Sequence, residues 1–129
     1  ATKACPMFVP LVENRETESP AADYFAAKYI SSLLEKDSRI DTIILACTHY
    51  PLLYDVIRRN TPPEINVVCQ GGIVAESLAD YMERHPEIAD RCTTGGKCTY
   101  LTTENPEAFA DLARVFLDED IEAKHVELN

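Results

Sequence analysis

Long apolar runs are missing from this sequence. The longest, such as Ile43-Ile44-Leu45-Ala46-Cys47, have strand length and fall far short of the roughly 20 residues that a membrane-spanning helix needs. No membrane is expected as a partner. Bases are scarce too: 12 Lys and Arg against 22 Asp and Glu leave a formal charge of −10, and Arg58-Arg59 is the only adjacent basic pair. A phosphate backbone would be repelled by such a surface, so no nucleic acid is expected. Internal repeats and low-complexity tracts are absent. The five cysteines, at 5, 47, 69, 92 and 98, are odd in number and contain no C-x-x-C pair, so they are not the framework of a small secreted scaffold. A reducing, cytoplasmic setting is the simplest expectation. The opening Ala1-Thr2-Lys3-Ala4-Cys5 lacks a Met and has no leader pattern, so a piece of a longer polypeptide is expected.

What is present is a regular alternation of segments in a chain of 129 residues, 46% of them apolar, the range of an ordinary globular domain. Phe8 to Val12 is expected to be a short strand ending at Glu13. Ser19-Pro20 starts a helix, with Ser as N-cap and Pro at the first helical position. Its apolar stripe runs through Ala22, Phe25, Ala26, Tyr29, Ile30, Leu33 and Leu34. Thr42 to Ala46 is a continuous apolar run, as in a buried parallel strand. Leu52 to about Arg59 reads as a helix stopped by Thr61-Pro62-Pro63, and Ile65 to Cys69 as a strand. Gln70-Gly71-Gly72 leads into a helix with Ile73, Val74, Leu78 and Tyr81. Thr99 to Thr102 is strand-like. Asn105-Pro106 caps a last helix whose Phe109 and Phe116 stripe is expected to be core. Lys124 to Leu128 is a closing strand. This order predicts an α/β fold with a mainly parallel sheet flanked by helices. In such sheets ligands sit beyond the carboxyl ends of the strands, so Leu11-Val12-Glu13 and Ala46-Cys47-Thr48-His49 are where chemistry is expected.

Cys47 follows a buried strand and precedes a helix. A thiol there lies near free backbone N–H groups and the positive end of a helix dipole, both of which favour thiolate. The same amides can hold a carboxylate, the Thr48 hydroxyl adds a hydrogen-bonding group, and His49 can exchange protons. A lone cysteine at a strand end is most often a small hydrophobe. Three reactive or polar types in Cys47-Thr48-His49-Tyr50-Pro51 shift the balance towards a site.

The run Leu45-Ala46-Cys47-Thr48-His49-Tyr50-Pro51-Leu52-Leu53 resembles the second-cysteine motif of the glutamate racemases. Ala4 to Glu13 is similar to another segment of that family at matching distance. Thr99 to Leu128, with Tyr100-Leu101-Thr102-Thr103 and the Phe109 helix, is similar to its carboxyl terminus. The resemblance covers essentially the whole chain. It implies two pseudo-symmetric flavodoxin-like domains, with residues 1–70 the carboxyl-terminal portion of the second and 71–129 a segment that completes the first. It implies a reaction in which two thiols on opposite faces of glutamate move the α-proton without pyridoxal phosphate, metal or other cofactor, supplying D-glutamate for peptidoglycan. It makes Cys47 one acid/base, Thr48 a substrate-binding group, and His49 and Glu13 helpers of proton transfer.

Some of the pattern is not here. The family's first catalytic cysteine lies in an amino-terminal Cys-Asn-Thr motif with an Asp-Ser pair before it near the start, and no such arrangement occurs: there is no Cys-Asn-Thr. Where Cys69-Gln70 stand, the family usually has an Asp followed by a small residue. Cys5 sits in a different motif, and Cys92, Cys98 and His85 are too few for a convincing zinc site. The chain therefore resembles the carboxyl-terminal half of the enzyme and is expected to be inactive alone. It is also expected to self-associate, as a homodimer, over apolar surface that the missing half would cover. Two alternatives are a non-catalytic module that binds an amino acid in the same cleft, and a racemase for aspartate. Aspartate racemases usually carry an acidic residue where His49 stands.

Overall fold

The computed structural model describes residues 1–128 and divides the chain into two compact units, residues 1–75 and 76–129. The division falls inside one helix.

The first unit begins with α1, Phe8–Glu13, where the sequence suggested a strand. Val9 and Val12 favour extended backbone, but Phe8, Leu11 and Val12 are spaced i, i+3, i+4, and all three are buried. Burial on one side of a helix outweighs the weak β preference of the run. Pro10 is tolerated in the first turn, where its missing N–H has no helical acceptor. The end of α1 has a defined lock. Arg15 adopts φ 58°, and the Glu16 and Arg15 amides donate back to the carbonyls of Leu11 at 2.8 Å and Val12 at 3.0 Å. This is the paired bonding of a Schellman motif, with Arg in the place usually held by Gly.

Helix α2, Pro20–Leu34, starts as its sequence suggests: the Ser19 hydroxyl oxygen accepts from the Ala22 amide at 3.2 Å and its O–H donates to the Glu16 carbonyl at 2.8 Å. It buries Ala22, Ala26, Tyr29 and Ile30. Strand β1, Thr42–Leu45, runs parallel to β2, Asn66–Cys69, in the register Thr42↔Asn66 to Leu45↔Cys69. Between them the expected single helix is split into a 3-10 turn, Tyr50–Leu53, and α3, Tyr54–Arg59. Helix α4, Gln70–Arg84, follows β2 directly and has no buried residue.

Every fully buried apolar side chain lies between Phe8 and Ile65, among them Phe8, Val12, Leu53, Val56 and Ile57 at 2% exposure or less. Two polar devices tie this core together. Arg58 donates through its guanidinium to the carbonyls of Ile65, Thr61 and Pro62, collecting the chain reversal between α3 and β2. Arg59 and Asn60 of the α3 end both donate to the Asp23 carboxylate on α2, at 2.8 and 2.9 Å.

The second unit holds α5, Pro86–Ala89, β3, Tyr100–Thr102, α6, Pro106–Leu117, and β4, Ala123–His125. Strands β3 and β4 are parallel. Asn105 caps α6, its side-chain oxygen accepting from the Ala108 amide at 2.8 Å. The Phe109 and Phe116 stripe is not the closed core that its periodicity suggests. Leu112, Phe116 and Leu117 are exposed, and with Tyr100, Phe109 and Ala113 they line an open apolar hollow of about 320 Å³. The closing strand begins one residue earlier than expected and ends three residues earlier, at His125. Among the described residues no helix is long and apolar enough to cross a membrane.

Candidate functional site

The site forms where β1 ends. Beyond Leu45 the chain turns through Ala46, Cys47, Thr48 and His49, and the Tyr50 amide donates to the Cys47 carbonyl at 3.2 Å to begin the 3-10 turn. This tight return keeps Cys47 at the strand end, half-buried, with its side chain on the wall of a cavity of about 550 Å³.

Three of the four expected site residues join by hydrogen bonds. The carboxylate of Glu13 lies 3.4 Å from Nε2 of His49, and Nδ1 of His49 lies 3.3 Å from the Thr48 hydroxyl. A neutral imidazole satisfies both contacts with Nε2–H donating to Glu13 and the Thr48 O–H donating to Nδ1. Glu13 reaches this position because α1 is helical: it is the last residue of that helix, not the end of a strand. The dyad joins residues 36 apart in sequence and fixes the α1 end to the turn after β1. Its carboxylate is exposed and its imidazole partly so, and neither is among the residues that line the cavity of Cys47.

The structure adds three residues to the expected set. Cys5, Tyr50 and Gln70 line the same cavity as Cys47. Burial pushes the Cys5 thiol up from its ordinary range, opposed by its hydrogen bond with Tyr50 and the Lys3 charge, and reinforced by the neighbouring Cys47. The Tyr50 hydroxyl is also pushed up, first by burial and then by Cys5 and Cys47. Both groups are therefore neutral at pH 7, Tyr50 as a hydroxyl and Cys5 as a thiol. The ring of Tyr50 packs edge-on against Phe8, with centroids 5.2 Å apart, so its hydroxyl is held by the core. Gln70 enters because β2 lies beside β1 and ends one residue before it. Tyr50 is brought there by the turn itself, three residues after Cys47, whereas Gln70 carries no local signal and arrives only through the parallel pairing of β1 and β2. Of the other thiols, Cys92 and Cys98 are exposed in the second unit, and no group of three or more potential metal-ligating side chains occurs among the described residues.

No protein-family model matches the chain. Individual proteins do. A glutamate racemase from a Ruegeria species is 37% identical over 119 residues, which is 92% of this chain and 42% of the relative. The solved glutamate racemase of Thermus thermophilus, crystallised with β-chloro-D-alanine, superposes on 98% of the chain with a TM-score of 0.82 at 29% identity. An isoform from Bacillus anthracis superposes with a TM-score of 0.81 at 28% identity. In the two solved structures the match takes up 47% and 46% of the neighbour, so the chain spans about half the length of the proteins it matches. The helix-flanked parallel strands are those of the glutamate racemase fold, and over nearly its whole length the chain is homologous to the carboxyl-terminal half of the glutamate racemases.

Proposed function

We propose that this chain supplies the Cys47 side of a glutamate racemase, an isomerase that interconverts L- and D-glutamate with no cofactor. The observation that carries the reading is Cys47, Thr48 and His49 at the carboxyl end of the parallel strand β1, with Cys47 on a cavity wall and Thr48, His49 and Glu13 linked in a row by hydrogen bonds. Ligands bind at that end of parallel α/β sheets.

In this reading Cys47, as thiolate, takes the α-proton from one face of the bound amino acid. The C–H electron pair stays on carbon as a carbanion, and a second thiol outside this chain returns a proton to the opposite face. For the reverse direction Cys47 is the donor. Thr48 offers its hydroxyl to the substrate's polar groups. His49, oriented by Glu13, exchanges protons with Cys47 or with the substrate amine. The α-proton is weakly acidic, so the thiolate must be pre-oriented and shielded from water, and a half-buried position on a cavity wall suits that need.

Residues 1–70 then belong to the second domain of the racemase and 71–129 complete the first. The enzyme acts in the cytoplasm, its D-glutamate feeding peptidoglycan. It works as a homodimer, a reading that the apolar hollow bordered by α6 favours.

The test is polarimetric. Purified chain alone is expected to leave L-glutamate unchanged, and supplying the amino-terminal half in the same polypeptide is expected to give D-glutamate. Cys47→Ala in that complete enzyme should abolish turnover in both directions. Turnover by the chain alone would overturn the second thiol's place outside it, turnover surviving the substitution would remove Cys47 from this role, and turnover of aspartate in preference to glutamate would overturn the substrate.

A further inference from the structure

Cys47 lies outside both β1 and the 3-10 turn that follows, so its attitude is set by what holds the intervening loop. Three of those holds pass through Tyr50. Along the main chain, the Tyr50 amide donates to the Cys47 carbonyl at 3.2 Å. Through its ring, Tyr50 meets the buried Phe8 edge-on, with centroids 5.2 Å apart at an interplanar angle of 88°. Through its hydroxyl, Tyr50 is hydrogen-bonded to Cys5, at both the thiol and the main chain. Cys5 is anchored in turn. Its thiol donates to the Lys3 carbonyl at 3.6 Å, and its carbonyl accepts from the Phe8 amide at 3.1 Å, just ahead of α1. A continuous brace thus runs from the first residues through Cys5 and the Tyr50 hydroxyl to the main chain of Cys47. All three side chains line one cavity. Packing against Phe8 needs only the ring of Tyr50, and a phenol that serves packing alone needs no partner beside a reactive thiol.

We propose that Tyr50 is a positioning residue of the racemase, its hydroxyl tying the Cys47 loop to Cys5 so that the Cys47 thiol keeps one attitude towards the α-carbon. The inference rests on the functional reading above and deepens it. Neither Tyr50 nor Cys5 exchanges the α-proton; both act through the loop. Proton transfer from carbon depends on alignment, and a displacement of about 1 Å can cost on the order of a hundredfold in rate. Cys5 suits the anchoring role because it stays a neutral thiol beside Cys47, so it takes the Tyr50 hydrogen bond without placing a second negative charge in the cavity.

The first test uses this chain and iodoacetamide, with labelling of Cys47 followed by mass spectrometry of its peptide and the exposed Cys92 as internal reference. Tyr50→Phe keeps the ring and its packing and removes only the hydroxyl. The net worth of one hydrogen bond corresponds to about fivefold in a local opening equilibrium, so Tyr50→Phe and Cys5→Ala should each speed alkylation of Cys47 about fivefold. The double variant should be no faster than either single one, because both break the same link. Cys5→Ser, whose hydroxyl still accepts from Tyr50, should stay within about twofold of the parent. The second test is kinetic, in this chain joined to an amino-terminal half. There Tyr50→Phe should lower kcat about tenfold or more with KM within about twofold, and Cys5→Ser should recover most of what Cys5→Ala loses. Unchanged alkylation, effects that multiply in the double variant, or a loss confined to KM would each overturn the positioning role. Racemisation that survives Cys47→Ala would sink the functional reading instead, whereas a Cys47-dependent kcat that survives Tyr50→Phe would sink the positioning role alone.

Discussion

Phe8 is the residue through which stability and the candidate site depend on each other. It is 2% exposed, and its ring meets Tyr29 of α2 and Tyr50 of the 3-10 turn edge-on, both at 5.2 Å between centroids. It also lines the Cys47 cavity. Phe8→Ala removes the buried ring and leaves a void among α1, α2 and the turn, none of which can collapse without moving. Burial of a Phe side chain contributes about 1.5–3 kcal/mol, and the void raises the loss to about 3–5 kcal/mol. Phe8→Leu keeps most of the apolar volume and forfeits the two edge contacts, each worth about 0.5–1.5 kcal/mol, for a loss of about 1–3 kcal/mol. The assay is urea unfolding followed by far-UV circular dichroism and tyrosine fluorescence, which no Trp obscures. With m near 2 kcal/mol/M, the Ala variant should lower the midpoint by about 1.5–2.5 M and the Leu variant by about 0.5–1.5 M. A fall below about 0.5 M for Phe8→Ala at unchanged m would refute the argument, because Phe8 would then not be the common packing partner of the three elements.

Arg58→Lys should cost about 1.5–3 kcal/mol, since one ammonium cannot reproduce the forked donation to three carbonyls; a urea midpoint within error of the parent would show that water satisfies those carbonyls equally well. The Asp23 carboxyl is held below its ordinary value of 3.8, first by the Arg59 guanidinium and then by Asn60. A depressed carboxylate stabilises the fold at pH values above 3.8, and this contribution is lost as the pH falls through the lowered value. Asp23→Asn should therefore be less stable than the parent at pH 7, with the gap narrowing towards pH 3 and in high salt; a gap independent of pH would remove the ion pair between α2 and α3 from the account.

Much of this fold can be read from local chemistry. Ser19-Pro20 and Asn105-Pro106 both cap helices as their types require, and the expected parallel strand forms over Thr42–Leu45, although only Ile43 and Leu45 of it are buried. The reading failed at Phe8–Glu13, where two valines, one phenylalanine and a proline look extended over so short a window. What decided the matter was the burial of Phe8, Leu11 and Val12 on one side, a tertiary effect, together with a helix stop at Arg15 that lacks the usual glycine. The stripe of α6 failed for a different reason. Its periodicity correctly marked an apolar side, but periodicity reports which residues seek cover and not whether the cover lies within the same chain. The same holds for Ile73, Val74, Leu78 and Tyr81, all exposed along α4. At the site, Cys47, Thr48 and His49 were legible because they are contiguous. Glu13 was legible only through its motif, Cys5 and Tyr50 lay inside quoted motifs without being singled out, and Gln70 was not legible at all, because its place depends on how β2 sits beside β1.

The presence of Cys5 in the Cys47 cavity raises the question of whether one chain could hold both thiols that the proposed reaction needs. A reversible racemase uses each thiol as base in one direction and as acid in the other. Burial pushes Cys5 up, away from thiolate, and a thiolate at Cys47 would push it further. That keeps Cys5 a competent donor and a poor acceptor, which serves one direction only. The Tyr50 hydroxyl is likewise held neutral beside it, so the pair can hydrogen-bond and position but cannot take the α-proton. In the proposed reaction Cys5 and Tyr50 are therefore positioning groups, and Cys47 alone in this cavity is left to take the α-proton.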